Sequence, residues 1–167
     1  SGDSVTLSGT TISGFDTGVE SDAGTLSVID YATIAGASEG IWAYDTQLLI
    51  NYADLDGGAS GVGLVVEDSG EALMYCVNLT GSVGMEILNT DFRYNMGDVS
   101  STLGVFVSDS VGKIENLTWT STVTTEIELD QGAMVTSIGQ DLTPSKLVVP
   151  AGTMIDEANL LDIAASH

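Results

Sequence analysis

Residues 40–43 read Gly40-Ile41-Trp42-Ala43, and the pattern they set returns down the chain: a small residue, an apolar one, any residue, an apolar one. It recurs as Gly18-Val19-Glu20-Ser21, Gly63-Leu64-Val65-Val66, Gly84-Met85-Glu86-Ile87 and Gly104-Val105-Phe106-Val107. Looser copies follow at Glu126-Ile127-Glu128-Leu129 and Lys146-Leu147-Val148-Val149. Successive copies start 22, 23, 21, 20, 22 and 20 residues apart. A step this regular marks a repeat architecture. Alternation with period two makes each copy a short strand with two positions inward and one outward.

Two more apolar columns keep the same step. Leu7, Ile29, Ile50, Met74, Tyr94 and Ile114 mark the inward position of an upstream strand. Ile12, Ile34, Leu55, Leu79, Val99 and Trp119 mark a third. Three short strands per unit, broken by Gly, Asn, Asp and Ser, describe one coil of a solenoid whose neighbours pair in parallel. A helical repeat would instead show 3.6-residue periodicity and few glycines.

Repeats such as Thr11-Ile12-Ser13-Gly14 leading to Gly18-Val19, and Thr33-Ile34-Ala35-Gly36 leading to Gly40-Ile41, resemble right-handed parallel β-helix repeats. These belong to the pectate-lyase-like superfamily, with its carbohydrate-binding and sugar-hydrolysis repeats. The resemblance covers roughly residues 5 to 150 and implies an all-β, right-handed parallel β-helix of about seven coils. It specifies fold rather than activity, because the superfamily includes lyases, hydrolases, epimerases, adhesins and inert spacers. Residues 1–150 are expected to form the β-helix. Residues 151–167 are expected to form a cap or the start of a further coil. There Thr153 and Asp156 resemble a capping box, and Ile155, Ala158, Leu160, Leu161 and Ile163 could form a short apolar helix face. No N-terminal cap is evident, which suggests a fragment of a longer rod or an end that pairs with another chain.

Composition narrows the class. The 167 residues carry 24 acidic and 3 basic side chains, a formal charge of −21. Yet 43% of residues are hydrophobic, which excludes a disordered acidic tail. Nucleic-acid backbones need clustered Lys or Arg, and the only cations are Arg93, Lys113 and Lys146. The charge repels anionic membranes and suits a salty medium or a partner that brings cations. No apolar run reaches the roughly 18 residues of a membrane span, so no membrane insertion is expected. Cys76 is the only cysteine and has no intrachain partner for a disulfide. Asn78 and Asn116 stand in Asn-x-Thr sequons, a number chance supplies in a chain rich in Thr.

Function is to be read from the outward positions. One polar face is expected from Thr11/Ser13, Thr33/Ala35, Asp54/Asp56, Asn78/Thr80, Asp98/Ser100 and Thr118/Thr120. It is a solvated sheet face, a surface whose hydroxyls and carboxylates contact sugars, or an ice-binding face, whose regular Thr-x-Thr array Asp54, Asp56 and Asp98 interrupt. A turn column holds Asp22, Asp45, Asp68, Asn89, Asp109 and Asp130. Short polar side chains there bond the backbone of the turn, while a stack of carboxylates could take Ca²⁺. Asp54-Leu55-Asp56-Gly57-Gly58 adds a fragment of a calcium-loop pattern without its full spacing or terminal Glu. Asp45, Asp54, Asp56 and Asp68 are therefore the candidate calcium ligands. No cofactor is certain. Trp42, with Asp54, Asp56 and Asp98, is the candidate glycan contact, the indole serving either as a sugar platform or as packing on the rod. Val28, Leu49, Leu73 and Phe106 are read as outward apolar positions and candidate contacts with a neighbouring domain or subunit.

Enzyme signatures are weak. Gly36-Ala37-Ser38-Glu39-Gly40 matches the nucleophile-elbow pattern, but the single histidine is His167 and no helix is expected to follow. Lyases of the resembled superfamily combine calcium-binding acids with a basic proton acceptor. Arg93 and Lys113, 20 residues apart, could share a face, yet their column mates read as apolar. Its hydrolases use clustered aspartates, a role open to Asp54, Asp56 and Asp98, but the flanking motifs of the pectin-hydrolysing branch are missing. The leading expectation is a non-catalytic module of a larger extracellular or cell-surface protein: a rigid spacer, adhesive or glycan-binding surface. A carbohydrate-active enzyme, or its substrate-binding part, is the first alternative, and a calcium-dependent assembly module the second.

Overall fold

The computed structural model describes residues 3–149 apart from 131, 140 and 141. The expected cap at 151–167 lies outside the described residues. The chain winds into a right-handed, all-parallel β-solenoid of about seven turns. Its elements are β1 (Ser4–Ser8), β2 (Thr11–Asp56), β3 (Val62–Glu67), β4 (Glu71–Leu88), β5 (Asp91–Ser108), β6 (Val111–Trp119), β7 (Thr125–Leu129), β8 (Met134–Ile138), a 3₁₀ turn (Pro144–Lys146) and β9 (Leu147–Val148). No described helix is long and apolar enough to cross a membrane. Because every pairing is between successive turns, strands close in sequence become stacked neighbours, spaced about 4.8 Å apart.

Each turn contributes to three faces. On face one, Leu49 pairs with Leu73, Arg93 and Lys113 in succession. On face two, Leu55 lies beside Leu79, then Val99, then Trp119. Face three carries the motif that opened the analysis: Ile41, Leu64, Met85, Val105, Ile127 and Leu147 are in register one after another. The inward residues Ile41, Ile50, Leu55, Leu64, Leu79, Met85 and Ile114 are fully enclosed. Burying a side chain of this size stabilises by roughly 1.5–3 kcal/mol, so the stacked columns are the main cohesive element.

The small residue of the motif has a steric cause. Gly18, Gly40, Gly63, Gly84 and Gly104 stack at the corner between faces two and three. A Cβ on Gly84 would come 2.5 Å from the carbonyl oxygen of Gly104, and one on Gly40 would come 2.4 Å from that of Gly63. The backbones approach too closely for any side chain.

One expected column slips. Leu7 pairs with Val28, not with Ile29. Val28 is therefore inward and 0% exposed, and it is not an outward contact residue. Ile29 is only half-buried. The cause is one extra residue in the next corner. Val28 lies six residues before Ile34, whereas Ile50 lies five before Leu55. The extra length is absorbed at Asp30 and Tyr31, consecutive residues with φ of 61° and 63°.

Candidate functional site

The corner between faces one and two turns on a left-handed residue in successive coils: Tyr31 (φ 63°), Tyr52 (60°), Cys76 (53°), Met96 (64°) and Asn116 (55°), with Asp30 adding a second just before Tyr31. That conformation costs an L-residue roughly 1–2 kcal/mol and favours Gly or Asn. Here it turns large side chains into a ridge along one edge. The Tyr31 and Tyr52 rings lie 5.1 Å apart at 36°, and Tyr75 meets Tyr52 edge-on at 5.9 Å. Tyr31 is 77% exposed, a large aromatic surface left facing water. The Tyr52 phenol is held above the ordinary tyrosine value, chiefly by Cys76 and then by Tyr75, so it stays neutral at physiological pH.

Beside this ridge runs the polar row of face two. Asp54 is in register with Asn78, and Asp98 with Thr118. The Asn78 amide donates to Asp54 Oδ1 at 2.7 Å, and the Asp98 backbone N–H donates to Asn78 Oδ1 at 3.0 Å. Ridge and row together bound a groove of about 220 Å³, lined by Tyr31, Tyr52, Asp54, Cys76, Asn78 and Met96, among others. Stacked aromatic faces beside fixed acceptors and donors can hold a flat apolar face with polar edges.

The glycan candidates named from sequence divide between two faces. Asp54, Asp56 and Asp98 share face two. Trp42 is half-buried on face three, in register with Val65 and 6.4 Å from the Tyr44 ring. The aromatic side chains beside the carboxylates are tyrosines that sequence reading passed over. A tyrosine at each of two successive corners, Tyr31 and Tyr52, was the available signal.

The calcium candidates also divide. Asp45 and Asp68 lie at the corner from face three to face one, each left-handed at φ 47° and 49°, as are Asn89 and Asp109. Asp68 Oδ1 accepts from the Asn89 amide at 2.8 Å. Asp56 Oδ1 accepts from the Gly58 N–H at 2.8 Å, which closes the next corner. Among the described residues no three His, Cys, Asp or Glu side chains converge on a common point.

Of the apolar contact candidates, Leu49 and Leu73 are exposed side by side on face one. Phe106 is outward and half-buried on face three, between Glu86 and Glu128. Arg93 and Lys113 are adjacent, as their spacing implied, but an acid neglected in the sequence stands with them. Glu115 Oε2 accepts from Arg93 Nε at 2.9 Å, and Lys113 Nζ lies 2.8 Å from Glu115 Oε1. The hydrogen bond from Lys113, reinforced by Arg93, holds the Glu115 carboxyl below the ordinary glutamate value although burial opposes it. In the elbow-like segment, the Ser38 hydroxyl donates to Asp16 Oδ1 at 2.8 Å. No family model, no curated protein and no solved structure matches this chain.

Proposed function

We propose that this chain is a non-catalytic β-helix module of a larger extracellular or cell-surface protein, a rigid spacer that presents a glycan-binding groove along one edge. The observation that carries the reading is the Tyr31–Tyr52 pair on successive coils, set beside Asp54 and Asn78. Pyranose rings offer apolar C–H faces that stack on aromatic rings, and their hydroxyls bond carboxylates and amides. The ridge and the polar row both run along the rod, so a linear glycan lying along it can span several coils. The three-strand coil with a left-handed corner supports placing the chain in the pectate-lyase-like superfamily.

The enzymatic alternative rests on Arg93 and Lys113. Both cations are engaged by Glu115, so neither is poised as a free base. A glycan array probed with the wild-type chain tests the binding reading. Neutral oligosaccharides are expected to bind, and Tyr52→Ala is expected to lose them. An array on which no glycan is retained contradicts it.

A further inference from the structure

The charge around the groove points to a narrower ligand class. Asp54 has one carboxylate oxygen bonded to the neutral Asn78 amide. None of the chain's three cations is available to neutralise it. Arg93 and Lys113 are held by Glu115 on face one, and Lys146 lies 3.6 Å from Glu126. The carboxylate thus sits beside the tilted Tyr31–Tyr52 pair in a chain of net charge −21, with no counter-ion among the described residues. Aromatic faces attract cations through the ring quadrupole; a quaternary ammonium pairs with such faces without losing a tight hydration shell, and a sugar-borne primary ammonium adds N–H donors for the Asp54 carboxylate. The tyrosine ridge continues along the groove as Cys76 and Met96, whose polarisable sulfurs suit a soft cation better than an anion. Long-range attraction has the same sign, since the whole surface concentrates cations and repels uronates and sulfated sugars.

We propose that the Tyr31–Tyr52–Asp54 groove recognises an organic ammonium group, as carried by an amino sugar or by choline. This rests on the reading that the groove binds a ligand, and adds the class of ligand. Calorimetric titration of the full chain compares two matched pairs. Choline is set against its neutral isostere 3,3-dimethylbutan-1-ol, and a glucosamine hexamer at mildly acidic pH against an N-acetylglucosamine hexamer. At least one ammonium ligand is expected to bind at least tenfold more tightly than its neutral match, and whichever does so names the source. Tyr31→Ala, a change at an exposed side chain, and Asp54→Asn should each erase most of that preference. Equal binding of both members of each pair overturns the ammonium proposal while leaving a glycan or apolar groove in place. An ammonium preference unchanged in Tyr31→Ala also overturns it, as diffuse attraction to an acidic surface. Absence of binding by all four probes overturns it, and, when the glycan array is also blank, the groove reading with it.

Discussion

The Ser69 backbone N–H donates to the Thr90 hydroxyl oxygen at 3.0 Å, and the relationship repeats from coil to coil inside the rod. Thr46 N–H donates to Ser69 Oγ and Thr90 N–H to Ser110 Oγ, at 3.1 and 3.0 Å. Each hydroxyl in turn donates to the carbonyl two residues before it: Ser69 to Glu67, Thr90 to Leu88, Ser110 to Ser108. All four side chains are buried. The ladder satisfies the backbone where it leaves the left-handed Asp or Asn corner and no strand partner is in place. Thr90→Val keeps the shape but orphans the Ser69 N–H, while the Leu88 carbonyl keeps the Asp68 N–H as its donor, and should cost about 1–3 kcal/mol. Thr90→Ser should cost far less. Urea denaturation of the two variants checks it.

Gly84→Ala tests the glycine corner. The added methyl meets the Gly104 carbonyl and the Ser101 hydroxyl at 2.5 and 3.1 Å. Overpacking of this kind costs roughly 1–3 kcal/mol, although alanine favours ordinary backbone conformations more than glycine does. A thermal melt at or above wild type would contradict the stacked-glycine account.

Tyr94 lies wholly in the core, where its hydroxyl donates to the Val77 carbonyl at 2.6 Å. Burial holds this phenol far above its ordinary value, with the Asp98 charge adding to the effect. Tyr94→Phe leaves the carbonyl without that donor and should destabilise by about 1–3 kcal/mol. Denaturant titration at neutral pH reads the loss.

Two carboxylates should respond oppositely to pH. Glu115 is depressed by Lys113 and Arg93. Its stabilisation is present above the unfolded glutamate value, about 4.3, and is lost as pH falls through the lower folded value. Glu86 is raised, first by burial between Val65 and Phe106 and then by the Glu39 charge. Its contribution is present below about 4.3 and is lost as pH rises through the higher folded value. At pH 7, Glu115→Gln should therefore melt below wild type and Glu86→Gln above it. Both differences should shrink in acid. Melting curves across that range show whether the signs are as stated.

Much of the fold was legible because core columns must repeat in chemistry and spacing to stack. Ile41, Leu64 and Met85 announce themselves by alternation and by the glycine before each. The slip at Val28 was hidden because Val28 and Ile29 are both apolar, so only the corner conformation of Asp30 and Tyr31 decides which one turns inward. The buried ladder was hidden as well, since Thr46, Ser69, Thr90 and Ser110 read as loop residues until the turn folds them in. The site was legible in half. Asp54 and Asp98 were placed on one face by register alone. The groove tyrosines gave little signal because a left-handed corner is expected to hold Gly or Asn, while Trp42, weighed as a sugar platform or as packing on the rod, is carried by its strand to face three.

Glycan affinity compared between Tyr31→Ala and Trp42→Ala tests the central claim most directly. The account predicts that Tyr31→Ala weakens binding at least tenfold while Trp42→Ala, on face three, leaves it unchanged. Binding lost in Trp42→Ala and kept in Tyr31→Ala would contradict it and move the recognition surface to the other side of the rod.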